Sequence, residues 1–209
     1  YKSADGTDLQ VELNEDGIFC GGDEKTLKRR VFNPNIPSEE VFTSPKAGSA
    51  EGVVYATKPL SYQGELIENF SVRFENGKVT EVTAEQGEEL LKQMVSMDEG
   101  AGMLGECALI PFDSPINNSG ILFYNTLFDE NASCHLALGH GFNECLKGYE
   151  NYTNEECKER GINASMIHVD FMNGARDMSS VGITTSGEKV EISIEKLTEN
   201  LRHKSEWLM

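Results

Sequence analysis

Basic residues are scarce in this chain. Its 18 Lys and Arg stand against 35 Asp and Glu, a formal net charge of −17 over 209 residues. A chain of that sign lacks the cations that displace counterions from phosphates, which excludes nucleic-acid binding as its main role. It is also repelled by an anionic membrane surface. Long apolar runs are missing, and nothing approaches the ~20 residues that span a bilayer. The five cysteines, Cys20, Cys107, Cys134, Cys145 and Cys157, include no Cys-x-x-Cys pair. A disulfide framework and a thiolate zinc site are therefore disfavoured, and the expectation is a cytoplasmic protein with reduced, buried thiols. There is no internal repeat and no low-complexity linker. The first residue is Tyr1 rather than Met, so the chain reads as a piece of something longer.

Enough apolar residues remain for a core, ten Phe among them. Alternation over residues 7–13 predicts a half-buried strand, and 52–57, 108–110 and 166–172 also read as strands. Asn76-Gly77, between apolar stretches at 66–74 and 79–82, predicts a hairpin turn because both residues tolerate positive φ. A second hairpin is expected within 182–194, turning at Ser186-Gly187. Residues 33–37 carry two prolines and read as a loop. Leu90, Leu91, Met94 and Val95 form an apolar stripe that predicts a helix over 85–97. Residues 134–142 and 194–203 are read as further helices, 120–127 as another apolar run, and 149–160 as polar and peripheral. Strands and helices interleave irregularly. The expected fold is α+β, one compact domain over 1–209 with a mainly antiparallel mixed sheet and flanking helices.

Several short segments hold candidate chemistry. In His168-Val169-Asp170, a strand would project the imidazole and the carboxylate to one face. The two are then either metal ligands or a structural hydrogen-bonded pair. Asp129, Glu130 and His135 fall within seven residues, as ligands or as acids in a first helical turn. Glu106 stands inside an otherwise apolar stretch, where a carboxylate is costly unless it is paired or metal-bound. Glu39-Glu40 precedes Val41-Phe42 and is either similar or a solvated turn. His135, His140 and His168 sit in glycine-rich or apolar company, whereas His203 lies in a polar tail. The set Glu40, Glu106, Glu130, His135, His168 and Asp170 is rich in oxygen, includes two imidazoles and has no thiolate. That composition suits Zn²⁺, Co²⁺ or Mn²⁺. It also exceeds what one tetrahedral ion takes, so two ions bridged by a carboxylate would use it fully. The acidic balance suits cations, either metals or substrates with a positive amine.

Four blocks carry a resemblance: Asn35 to Pro45, Gly100 to Glu106, Phe123 to Gly139, and His168-Val169-Asp170-Phe171-Met172. Together they resemble the thermophilic metalloaminopeptidase family, which includes aminopeptidases T, S and II. Its members are about twice this length, with a catalytic domain after an N-terminal one, so the resemblance makes this chain the catalytic C-terminal half. It implies a site in which two divalent ions activate water to remove the N-terminal residue from peptides with a free N-terminus. It also implies a homodimer for the full-length enzyme. By position, the metal ligands are Glu40, Glu106, His135, His168 and Asp170. Glu106 is the bridge, and Glu130 is either a ligand or an outer neighbour. Glu39 or Glu130 is the candidate catalytic base. One position departs from the pattern: the family's tyrosine after His-Leu-Ala-Leu-Gly is matched here by Phe142, with His140 close by. The rival reading is a non-catalytic metal-binding or assembly domain, which Phe142 and the missing N-terminal half favour. A Ca²⁺ module is disfavoured by the two histidines.

Overall fold

The computed structural model describes residues 1–21, 24–32 and 38–194. The loop expected at 33–37 lies outside them, as does the helix expected at 194–203 beyond Ile194. Nine strands carry the body of the fold. In chain order they are β1 (Asp8–Gln10), β2 (Cys20–Gly21), β3 (Val41–Thr43), β4 (Glu51–Tyr55), β5 (Ser71–Glu75), β6 (Lys78–Thr83), β7 (Leu104–Leu109), β8 (His135–Gly139) and β9 (His168–Met172). They form a four-stranded sheet of order β1-β4-β5-β6 and a five-stranded sheet of order β9-β8-β7-β3-β2. Three two-stranded hairpins complete the β structure among the described residues, and every strand pair there is antiparallel. The α+β expectation holds.

The turn between β5 and β6 follows from its residues. Asn76 (φ 51°) and Gly77 (φ 76°) both take the left-handed conformation that a two-residue hairpin requires. The second expected hairpin also forms, pairing Val181–Ile183 with Lys189–Glu191. The helix read over 85–97 is α1 (Glu88–Val95), whose Leu91 and Met94 are buried. No helix among the described residues is long and apolar enough to cross a membrane.

Two readings are corrected, and one apolar run proves to be exposed. Residues 134–142 do not form a helix, because His135–Gly139 is a strand buried at all five positions. Burial on both faces removes the alternation that marks a strand, and Leu-Ala-Leu then looks helical. Residues 66–74 are not continuous: Asn69 takes φ 48° between Glu65–Ile67 and β5. The apolar run at 120–127 is not buried, since Ile121, Tyr124 and Leu127 are largely exposed. Its backbone is held instead by the buried Asp129 carboxylate, which accepts from Phe123 N and Asn125 N at 2.7 and 3.0 Å.

The two sheets share one core. Leu9, Val54, Val72 and Phe74 of the first sheet cluster with Leu104, Cys107, Leu136, Leu138, Val169 and Phe171 of the second. Burying each large side chain contributes roughly 1.5–3 kcal/mol. In the second sheet these core residues lie in two rows across the strands, Leu104–Leu138–Val169 and Cys107–Leu136–Phe171. The other face of the same strands is therefore turned away from the core.

A bulge decides which face Glu106 takes. On a regular strand Leu104 and Glu106 would share one side. The β7–β8 register shifts between them, so Leu104 opposes Leu138 while Glu106 opposes Ala137. The extra residue is Gly105, packed so close that a Cβ there would collide with the carbonyl oxygens of Gly139 and His140. Gly105→Ala is expected to destabilise the fold by about 1–3 kcal/mol through that overlap, read by denaturant unfolding. An unchanged midpoint would contradict this role for the bulge.

Candidate metal centre

The face turned from the core gathers the chemistry. Glu106 of β7, Ala137 of β8 and Asp170 of β9 stand side by side in register. One row further along, Phe42 of β3, Ala108 of β7 and His135 of β8 do the same. His168 shares the face of Asp170, two residues on, opposite Gly139. The alanines are fully buried and form a floor of small side chains beneath the longer polar ones. Glu40 enters just before β3, two residues from Phe42.

The polar groups are close and nearly dry. His135 Nε2 lies 3.3 Å from Glu40 and 4.0 Å from Asp170 Oδ1. His168 Nε2 lies 3.2 Å from Glu106 and 3.3 Å from Asp170 Oδ1. Glu106 is 4% exposed and His135 1%. His168 Nδ1 sits 2.7 Å from the His140 carbonyl. A carbonyl only accepts, so Nδ1 carries a proton and Nε2 is aimed at the carboxylates. Ser133 O lies 3.4 Å from His135 Nδ1.

Burial and charge pull against each other here. Desolvation is the largest influence on Glu106 and lifts its carboxyl to about 7, against the pull of His168 and His135. Glu130, also lifted first by burial and then by the Asp170, Glu40 and Glu106 charges, reaches about 9. At neutral pH it is protonated, and its hydroxyl donates to the Asp170 carboxylate. Burial alone would lower both imidazoles. For His135 the Glu40 hydrogen bond and the surrounding carboxylates outweigh it, and the pKa stands at about 10. For His168 the nearby Asp170 and Glu106 carboxylates outweigh it, giving about 11.

The donors fit divalent ions. Glu40, Glu106 and His135 form one group of mutually close ligand atoms, and Glu106, His168 and Asp170 form another, each within 4.8 Å. Glu106 belongs to both. Asp170 Oδ1 is buried and accepts no well-aligned hydrogen bond, although His168 Nε2 is near. Such an oxygen needs positive charge beside it, which the two imidazoles supply while protonated and an ion would supply in their place.

The structure thus brings together Glu40, Glu106, His135, His168 and Asp170. Glu130 begins the 3₁₀ turn Glu130–Ala132 and lines the same cavity, of about 520 Å³. Glu39 is not among the lining residues, whereas Glu40 is. Phe142 lines it too, its ring centroid 4.8 Å from that of His168 and 5.5 Å from that of Phe42. Sequence reasoning singled out the His140 side chain, but that is exposed, and the residue serves through its backbone carbonyl instead. No sequence signal marks a carbonyl for such a role. Ser61, Tyr62 and Gln63, from the tip of the hairpin that pairs Leu60–Tyr62 with Glu65–Ile67, also reach the cavity.

Residues 1–195 match the family model described as thermophilic metalloprotease (M29). Among curated relatives, aminopeptidase AmpS of Bacillus subtilis (strain 168) is 48% identical over 92% of this chain and 47% of its own length. Aminopeptidase T of Thermus aquaticus is 47% identical over 90% of this chain and 45% of its own. The chain thus spans about half the length of the curated relatives it matches. The solved structure of wild-type AmpT from Thermus thermophilus superposes with a TM-score of 0.83 at 45% identity, covering 90% of this chain and 46% of that one.

An ion can use an imidazole of this set only after its proton leaves. Both imidazoles hold that proton at neutral pH, so lower proton activity favours the ion. Affinity for Zn²⁺ or Mn²⁺ is therefore expected to rise with pH, and uptake to release protons. Calorimetry in buffers of different ionisation enthalpy reads both. Affinity independent of pH, without proton release, would contradict this assignment of the protons.

Proposed function

The chain belongs to the thermophilic metalloprotease family M29, and from that premise we propose that it carries the catalytic centre of a metal-dependent aminopeptidase, which removes the N-terminal residue from peptides. The observation that carries the reading is the place of Glu106 in both ligand groups. In this reading Glu40 and His135 on one side and His168 and Asp170 on the other, with Glu106 shared by both groups, would hold two divalent ions, Zn²⁺, Co²⁺ or Mn²⁺. Bound there, the ions supply Lewis acidity toward the scissile carbonyl and lower the pKa of water.

The chain's own groups supply the rest. The carboxylates attract the free α-ammonium of a peptide, which favours cleavage at an N-terminus. Glu130 lines the cavity and Glu39 does not, which makes Glu130 the better candidate for the base. Phe42, Leu127 and Phe142 give the cavity an apolar wall against which a substrate side chain can pack. The fold as a whole is read as the catalytic domain of a longer, cytoplasmic, homodimeric enzyme. Phe142 is the observation that favours the second reading, a non-catalytic metal-binding or assembly domain, because no hydroxyl stands at that point of the wall.

Two measurements separate these readings. The metal-stripped protein is expected to hydrolyse an unblocked leucine chromogenic amide only after Co²⁺ or Zn²⁺ is restored, and to leave the N-acetylated amide intact. Glu106→Gln is expected to lower kcat by at least about 10²-fold, the scale on which a preorganised electrostatic group is felt. Hydrolysis of both amides alike, or an unaffected Glu106→Gln variant, would overturn the aminopeptidase reading.

The second measurement uses Phe142→Tyr, which keeps the ring and adds one hydroxyl toward the cavity. If a donor at this position helps the oxyanion, kcat is expected to rise by about 10²–10³ with an unchanged melting temperature. Unchanged turnover with a lowered melting temperature would make Phe142 a packing residue, its added hydroxyl left without a partner.

A further inference from the structure

Two thiols meet at the opposite edge of the sheet that bears the metal ligands. Cys20 opens edge strand β2 and pairs with Phe42 of β3. Cys145 ends the 3₁₀ turn Asn143–Cys145, directly after Phe142. Backbone hydrogen bonds fix the two segments side by side: Ile18 N donates to Cys145 O at 2.8 Å and Lys147 N to Asp16 O at 2.9 Å. Thr43 Oγ1 donates to Ile18 O at 2.9 Å, which fastens the same segment to β3. Cys20 Sγ donates to the carbonyl of Glu144 at 3.5 Å, which places it beside Cys145, the next residue along the chain.

Their surroundings differ as a reactive and a resolving thiol must. Cys20 is partly exposed, whereas Cys145 is fully buried. The Cys145 thiol holds the Cys20 thiol below its ordinary value, against the effect of burial. The Cys20 thiol, and then burial, push Cys145 upward. The remaining thiols, Cys107, Cys134 and Cys157, are buried, and burial lifts Cys107 to about 12.

We propose that Cys20 and Cys145 form a redox pair, which a peroxide closes into an intramolecular disulfide and a dithiol reductant reopens. The Cys20 thiolate attacks one peroxide oxygen, breaks the O–O bond and becomes a sulfenic acid, and the other oxygen leaves as water or an alcohol after taking a proton. Cys145, losing its proton, then attacks the Cys20 sulfur and expels the sulfenic oxygen as water. The two thiols give up two electrons and two protons, and the peroxide is reduced. The bridge ties β2 to the turn that carries Phe142. That turn is already linked to β3 through the Ser44 hydroxyl, which accepts from Phe142 N at 2.7 Å and contacts the Cys145 thiol. The modification site therefore sits behind one wall of the metal cavity and is separate from its ligands.

The test is peptide mapping of the purified protein after hydrogen peroxide treatment, without reductant, combined with intact mass. The expected result is the loss of two hydrogens per chain, a single Cys20–Cys145 linked peptide, and full reversal by dithiothreitol. Cys145→Ser should accumulate a sulfenic acid at Cys20 that dimedone traps, whereas Cys20→Ser should accumulate none. Cys145→Ala serves the same purpose if the serine variant fails to fold. Oxidation of Cys20 to a sulfinic acid without a link, a disulfide between chains, or equal dimedone labelling of both variants would overturn the proposal.

Discussion

The structure turns on one constraint: the Glu106 carboxylate is buried in a strand that has no exposed residue along its length. Such a group is tolerated only where counter-charge meets it. Two imidazolium rings provide that charge when no ion is bound, and Glu130, protonated and neutral, adds no further negative charge. The same positions are where divalent ions would replace protons. Neutralising the cavity and loading it are one process, which is why ligand set and protonation state cannot be considered apart.

The fold serves this constraint at each level. The core face of the second sheet seats its large side chains against the first sheet, which leaves the other face free for polar groups. Alanines keep the floor of that face low. Gly105 supplies the extra residue that moves Glu106 from one face to the other. The His140 carbonyl orients one imidazole. None of these contributors is a ligand, yet each decides where a ligand atom points.

Much of this was legible in the residues alone. His168 and Asp170 were separated by one position, so strand geometry alone put them on one face. The polar Glu106 stood out against its apolar neighbours. The Asn76-Gly77 turn followed from φ preference, and α1 from its stripe. Other features left no readable mark. His135–Gly139 looked helical because a strand buried on both faces loses its alternation. The bulge at Gly105 depends on a partner strand that is distant in sequence. The approach of the segments that carry Cys20 and Cys145 is likewise made by tertiary pairing, and no spacing announces it.

The account stands or falls on Glu106 serving two ions. Anomalous diffraction from crystals soaked in Zn²⁺ or Mn²⁺, measured at the metal's absorption edge, tests this most directly. The account predicts two peaks in the cavity, one beside Glu40 and His135 and one beside His168 and Asp170, each with a Glu106 oxygen within bonding distance. A single peak at full occupancy, or two peaks of which one lies out of reach of Glu106, would contradict it.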